Sequence, residues 1–505
     1  MRGLSEQAIA AILLGLLGLL GLTACEEARV REGASRFTQH EEAAMRVFVT
    51  PEGIGNIYDV ANPDGFALVG ESETIVAEPN ASVDLGPIEQ SLAIGARNVE
   101  PTLGSLRVTL QFRAPQIYVP VEVRRGFDVR ICRYRVSATL VTATGFVTLV
   151  ETAQGAQLEV TDEPEVELAG TSVDSLQPCG DALEGLIAPE ELASALVDYV
   201  TVSIASSAAA ALRTTPLDVV GLIRRNLQIS RVSSFDNRRG VLSVEGVAPQ
   251  RAEALELTSE GLVAQIDAAA DAERARCAPP VALDVHRDVG TVAIEGALVE
   301  RFGADFALAV STAWLERLAQ SATLAGFACQ GLEATAAPGE ASLIDTDDVL
   351  LEEVGLGGLA LGAQVRLVVR PGSLPRVATN VAGGTLDVRW EDLQIDVYGQ
   401  LFGAWTRVVS VISDARFNLR PQSSVVGAAA FGLEALEVSD ARVESAFFAT
   451  LPEPEQTQRW AQRTMLLLLE ERLELPLPLE AGNLLRVVNT QVRDHDIVYY
   501  LRFER

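Results

Sequence analysis

Leu106-Arg107-Val108-Thr109-Leu110-Gln111-Phe112 alternates apolar and polar side chains without a break. Period two puts Leu106, Val108, Leu110 and Phe112 on one face of a β-strand and the polar residues on the other. The rhythm returns in Cys132, Tyr134, Val136, Ala138 and Leu140, with Arg133, Arg135, Ser137 and Thr139 opposite. Leu386, Val388 and Trp390 alternate with Asp387 and Arg389, and then Leu393, Ile395 and Val397 continue one residue out of phase. Such a slip predicts a β-bulge near Glu391-Asp392, which bends and twists the strand. Strands with one apolar and one wet face imply curved antiparallel sheets.

Three stretches depart from alternation and predict long helices. Pro189–Leu212 starts with Pro189, Glu190 and Glu191, which suit a helix N-terminus. Leu192, Leu196, Tyr199, Val200 and Ile204 then fall on one stripe. Phe302–Leu324 carries Leu308, Trp314, Leu315 and Leu318, and Pro454–Leu473 carries Trp460, Met465, Leu466 and Leu469 before Pro476 and Pro478. The expected class is therefore α+β, a mostly antiparallel sheet with long helices in each half of the chain.

The first residues predict a destination. Arg2 precedes an apolar run from Ala8 to Leu22, followed by Leu22-Thr23-Ala24-Cys25. The run falls below the ~20 residues a membrane-spanning helix needs, and its layout is that of an export signal. The tetrapeptide resembles the bacterial lipobox. Residues 1–24 are thus expected to be a lipoprotein signal peptide, Cys25 the acylated anchor, and the polar residues 25–44 a tether. Glu26, rather than Asp, follows the anchor, which favours the outer membrane within the cell envelope. Four cysteines remain, Cys132, Cys179, Cys277 and Cys329. In an oxidising compartment they allow three pairings or four free thiols. One pair per half, Cys132–Cys179 and Cys277–Cys329, is the parsimonious choice, each bond contributing about 3–4 kcal/mol.

Composition removes whole classes of chemistry. The 505-residue chain has a formal net charge of −29, and all 40 of its basic residues are arginine. Without lysine there is no P-loop, Schiff base or lysine general base. A chain this acidic is repelled by nucleic acid and by anionic membrane surfaces. The three histidines, His40, His286 and His495, lie far apart in sequence, and no G-x-S-x-G elbow is present. Asp345-Thr346-Asp347-Asp348 lacks the glycine and closing glutamate of a calcium loop. No catalytic residue, metal or cofactor is expected.

A short pattern occurs twice. Val47-Phe48-Val49-Thr50-Pro51-Glu52-Gly53-Ile54 and Leu255-Glu256-Leu257-Thr258-Ser259-Glu260-Gly261-Leu262 share apolar-x-apolar-Thr-x-Glu-Gly-aliphatic. Each copy opens a half that later holds a cysteine pair, which predicts related domains over 45–249 and 250–505. The paired starts, the placement of Cys132 and Cys179, and the C-terminal order carry a resemblance. That order is strands near Thr385–Val397 and Phe417–Leu419, the helix from Pro454, then Leu475-Pro476-Leu477-Pro478-Leu479. The chain resembles the tubular lipid-binding family typified by bactericidal/permeability-increasing protein, lipopolysaccharide-binding protein and the plasma lipid-transfer proteins.

The resemblance implies two tandem elongated modules, each a twisted, barrel-like antiparallel sheet wrapped around long helices and enclosing an apolar tunnel. The tunnel would hold lipid acyl chains, of a phospholipid or a neutral lipid, and each buried methylene contributes about 0.8 kcal/mol. Leu196, Val200, Ile204, Trp314, Leu318, Trp390, Met465 and Leu469 are its candidate lining, with plain core packing as the alternative for each. The acidic, lysine-free composition departs from the basic face used by the antibacterial member. The expected function is an exported, lipid-anchored protein that binds or transfers lipid without catalysis. Its competitors are a structural or adhesive surface lipoprotein that binds another protein and an envelope hydrolase.

Overall fold

The computed structural model describes residues 29–32, 41–61, 66–102, 104–152, 155–214, 226–232, 239–247, 255–281, 283, 291–326, 328–335, 363–401, 403–422, 428–446, 453–468, 473–476 and 485–503. The chain divides into two compact units. The smaller comprises Phe48–Gly221 and Pro249–Ala264; the larger comprises Met1–Val47, Leu222–Ala248 and Gln265–Arg505. Five α-helices occur among the described residues: α1 (Pro51–Ala61), α2 (Pro189–Thr214), α3 (Gly296–Arg301), α4 (Thr312–Leu324) and α5 (Pro454–Leu468).

In the smaller unit, one antiparallel sheet runs in the order Ser172–Gln177, Asp128–Ser137, Gln116–Arg125, Ala81–Leu85, Glu73–Glu78. A second runs Gly155–Val160, Leu140–Thr152, Ser105–Arg113, Ala96–Thr102, with Glu165–Ala169 also on Leu140–Thr152. Phe66–Gly70 and Ile88–Leu92 form a separate pair. The alternation predicted at Leu106–Phe112 is present: Leu106, Val108, Leu110 and Phe112 are all buried, while Arg107 is exposed. Ile117, Val119, Val121 and Val123 do the same in the neighbouring sheet. Helix α2 packs on this strand scaffold through Leu192, Leu196, Tyr199, Val200, Ile204 and Leu212, all buried. Gly145 permits close approach, since a Cβ there would lie 2.7 Å from Leu212 Cδ1.

Two further sheets are built mainly from residues of the larger unit, with Phe48, Val49 and residues 261–264 of the smaller unit at the ends of two strands of the first. The path of one runs Arg29–Glu32, Asn226–Val232, Arg239–Val247, Gly261–Glu273, Glu41–Val49, Phe306–Ser311, Asp496–Phe503, Leu485–Val492. The other runs Gln330–Thr335, Gln364–Pro371, Thr385–Leu401, Ala404–Gln422, Ala428–Ala446, Leu473–Pro476, with Arg376–Asn380 beside Thr385–Leu401. Three of its strands are 17, 19 and 19 residues long. The predicted bulge is present: the register with the next strand shifts between Trp390 and Leu393, and Asp392 takes a φ of 53°. Asp392 N–H donates to Asp414 Oδ1 at 2.9 Å, which satisfies the group that the bulge removes from the ladder. Helix α4 is tied at two places: Glu316 Oε2 accepts from Val377 N–H at 3.0 Å, and Ser321 Oγ donates to the Ala270 carbonyl at 3.1 Å.

The expected fold class is corrected. The chain is mostly β, and its sheets do not wrap around long helices. The apolar residues that suggested helix-filled modules are instead spent in long, buried strands. Helix α2 shows why it is not enclosed: Ser194, Asp198, Val202, Ser206 and Ala210 form an exposed stripe at spacing four. Its other sides meet Phe66–Gly70 and strands of both sheets, and this stripe is left open. The helix expected over Phe302–Leu324 is shorter, because Phe306–Ser311 is a strand buried at every residue. A strand covered on both faces loses its period-two signature.

Both disulfides pair as the parsimonious reading had them, Cys132–Cys179 with Cα atoms 5.2 Å apart and Cys277–Cys329 with 6.1 Å. The repeated motif folds in two ways. In the first copy Thr50 Oγ1 accepts from Gly53 N–H at 3.0 Å and Pro51 opens helix α1, an N-cap with proline at the first helical position. In the second copy Thr258 Oγ1 accepts from Glu260 N–H at 3.2 Å and donates to the Gly261 carbonyl at 3.1 Å. The result there is a hairpin turn between Leu255–Thr258 and Gly261–Glu273.

One ion-pair network braces the long strands. Arg416 donates to Asp387 Oδ1 at 2.9 Å and Oδ2 at 2.8 Å, and Arg389 to Oδ2 at 3.1 Å. Burial raises the Asp387 pKa, but hydrogen bonds and charge from Arg416 and Arg389 outweigh it, so the net value lies below the ordinary one. A lowered carboxylate pKa stabilises the fold above the unfolded-state value and loses that contribution as pH falls through the folded-state value. Asp387→Asn is therefore expected to unfold more easily at neutral pH and to lose less stability on acidification than the parent. Urea unfolding across descending pH reads both effects; parallel curves would contradict them.

Candidate functional site

Helix α2 and the Phe66–Gly70 strand border an open groove in the smaller unit. It has a volume of about 670 Å³, within the few hundred to a thousand Å³ typical of small-molecule sites. Phe66, Ala67, Val69, Ile94, Val202, Ala210 and Ala211 supply its apolar surface, and Glu71 and Glu73 contribute the carboxylates. The apolar walls are accessible: Val69 is 56% exposed and Val202 59%.

The sequence builds this groove through small residues on α2. Val69 N–H donates to Ser207 Oγ at 3.0 Å, and Ser207 Oγ donates to the Val69 carbonyl at 3.1 Å. One serine thus satisfies both backbone groups of a strand residue beside the helix. Gly70 lets the two elements close, for a Cβ there would sit 2.5 Å from Ser203 Oγ and 2.9 Å from the Tyr199 hydroxyl. The Tyr199 hydroxyl lies 2.8 Å from both the Glu71 and the Gly86 carbonyls, and Ser203 Oγ donates back to the Tyr199 carbonyl at 2.8 Å. Burial first, and then the Glu73 charge, push the Tyr199 phenol above its usual pKa, with Ser203 opposing. The phenol is thus a neutral donor at physiological pH. Ser203, Ser207 and Tyr199 are committed to the protein's own backbone.

The sequence-expected residues lie elsewhere. Leu196, Val200 and Ile204 are 0% exposed and belong to the core side of α2. Trp314 and Leu318 are buried on α4, Trp390 is buried with its indole N–H donating to the Ser373 carbonyl at 3.1 Å, and Met465 is buried on α5. Leu469, Cys25, His40 and His286 lie outside the described residues. The groove takes Val202, Ser206 and Ala210 from the exposed stripe of α2, and Tyr199, Ser203, Ser207 and Ala211 from beside or along the packed face. Its signal in the sequence is the run of small residues from Ala205 to Ala211, too undersized for a filled core face. His495 is exposed, and its carbonyl accepts from Thr312 N–H. Among the described residues no group of three or more His, Cys, Asp or Glu is placed to hold a metal ion. The Pro189–Leu212 span is long and apolar enough to cross a membrane by length and composition alone, yet its apolar stripe is buried in the unit.

No protein-family model and no curated protein matches the chain. Among solved structures, the chain is similar to a lipopolysaccharide binding protein, with 12% identity and a TM-score of 0.44, over 92% of this chain and 99% of that one. It is also similar to P47 of Clostridium botulinum E1 (7% identity, TM-score 0.24, covering 92% and 100%) and P47 from Clostridium botulinum A2 (8%, 0.25, 91% and 98%). At these values the likenesses say nothing about what this chain binds.

Proposed function

We propose that this protein is a lipid-anchored, exported binder of lipid that holds an acyl chain in the α2 groove and acts without catalysis. The carrying observation is the groove itself: accessible, with Phe66, Val69, Ile94 and Val202 among its apolar side chains beside Glu71, Glu73 and several serines, and with the hydroxyls of Tyr199, Ser203 and Ser207 already bonded to the protein backbone. Such a site gains affinity by covering apolar surface, at about 25 cal/mol per Å². It offers no assembled acid–base or nucleophilic set. The carboxylates Glu71 and Glu73 disfavour a second carboxylate beside them, so a neutral lipid or a zwitterionic phospholipid suits the site better than an anionic one. The lipobox-like start supports acylation at Cys25, and Glu26 after it supports a seat in the outer membrane.

Val202→Asp tests the reading. The new carboxylate would stand on the groove wall, where an acyl chain would have to desolvate it. Affinity for a fluorescent-tailed diacylglycerol or phosphatidylcholine is expected to fall about ten-fold or more. Thermal stability should be unchanged, because Val202 is exposed. Unaltered titration would remove the groove from the account.

A further inference from the structure

The groove beside α2 is charged at one end only. Gly70 lies against Tyr199 and Ser203, and Val69 bonds to Ser207 through both of its backbone groups. The Phe66–Gly70 strand therefore runs against the direction of the helix, and its start lies toward Ala210 and Ala211. Helix rise separates Tyr199 from Ala211 by about 18 Å. Glu71 and Glu73 belong to the Tyr199 end. The Tyr199 hydroxyl is bonded to the Glu71 carbonyl at 2.8 Å, and the Glu73 charge reaches the phenol. The other end, at Ala67, Ile94, Ala210 and Ala211, carries no charged side chain.

The two carboxylates also lack the counter-charge that others on this surface have. Glu122 is met by Arg124, Asp174 by Arg135 and Glu434 by Arg420. Glu71 and Glu73 are exposed and make no ion pair among the described residues, and no residue lining the groove is cationic. The nearby hydroxyls of Tyr199, Ser203 and Ser207 already donate to backbone carbonyls. What the charged end offers a ligand is therefore a pair of acceptors, and an ammonium group, which only donates, is their complement.

We propose that the groove takes a lipid with an ammonium head, the head lying between Glu71 and Glu73 and the tail running along α2 toward Ala211. The inference rests on the lipid-binding reading of this groove and adds to it the charge and the direction of the ligand. Apolar walls beside the carboxylates focus their field on the cleft. A neutral head gains only from burial of its tail, and a carboxylate head is repelled. Two kinds of lipid carry the group: a long-chain amine and a zwitterionic phospholipid such as phosphatidylcholine. The lining has no cation to balance a phosphate, which favours the amine.

The test uses the whole chain carrying Cys25→Ser, titrated with a fluorescent-tailed long-chain amine and with the alcohol and the carboxylic acid that share its tail, all below micelle-forming concentrations. The amine should bind about five-fold more tightly than the alcohol, the scale of two solvent-exposed charge pairs, and the acid most weakly. Added salt should shrink the lead of the amine. The double variant Glu71→Gln, Glu73→Gln should bring the amine down to the alcohol and leave the alcohol unchanged. The double variant Glu300→Gln, Glu444→Gln removes as much charge from exposed sites of the larger unit and should keep the lead. Equal binding of amine and alcohol, a lead that survives the loss of Glu71 and Glu73, or an equal loss in the control variant would overturn the proposal. Phosphatidylcholine with the same tail should fall between amine and alcohol; tighter binding than the amine would overturn the choice of a head without phosphate. A parent chain that binds none of the probes sinks the groove reading as well, whereas equal binding of all of them sinks the charge assignment alone.

Discussion

Gly261→Ala is expected to cost roughly 4 kcal/mol or more and in many preparations to leave no folded smaller unit. Gly261 sits at a φ of 152°, and a methyl group built there would lie 2.2 Å from the Val49 carbonyl oxygen and 3.2 Å from Phe48 Cζ. The obstacle is backbone, not the end of a flexible side chain, so relief requires moving the Glu41–Val49 strand. Moving it breaks the ladder that seats Phe48 and Val49, both buried at 2% and 1% exposure. Thermal unfolding followed by near-ultraviolet circular dichroism measures the effect. A melting temperature within a few degrees of the parent would show that the strand yields and that the close approach is not required.

Asp496→Ala is the second large effect. Asp496 is completely buried. Its two oxygens accept from Arg493 Nε and Nη2, each at 2.6 Å, and Oδ2 also accepts from Val292 N–H at 2.8 Å. Arg493 in turn donates to the Ala293 and Val292 carbonyls at 2.8 and 2.9 Å. This carboxylate organises a charged knot at the start of the Asp496–Phe503 strand. Removing one partner of a buried pair leaves the other charge uncompensated and typically costs about 3–5 kcal/mol. Urea unfolding of the larger unit should show a loss of that size. A loss below about 1 kcal/mol, the scale of an exposed pair, would mean that water reaches Arg493 freely.

Leu106–Phe112 was legible because one face is wet, and the slip at Glu391-Asp392 was legible because a bulge must invert the alternation. The cysteine pairing followed from even count and placement. Phe306–Ser311 was not legible as a strand: buried on both faces, it shows no period. The twin Thr-x-Glu-Gly motifs were misleading for a related reason. Pro51 converts the first into a helix N-terminus, while Ser259 leaves the second free to turn. The groove was hidden because the exposed stripe of α2, Ser194, Asp198, Val202, Ser206 and Ala210, reads as an ordinary solvated face. Only the contact with Gly70 and Val69, far away in sequence, decides that Leu196, Val200 and Ile204 face the core and Val202 and Ala210 face the groove.

The central claim is tested most directly by asking what the purified protein already carries. The chain with Cys25→Ser, isolated without detergent, is extracted with organic solvent and the extract is analysed by mass spectrometry. The account predicts an acyl lipid in near-stoichiometric amount from the parent and a strongly reduced amount from Val202→Asp. A parent chain that comes out empty, and stays empty after incubation with phosphatidylcholine or diacylglycerol, would contradict it.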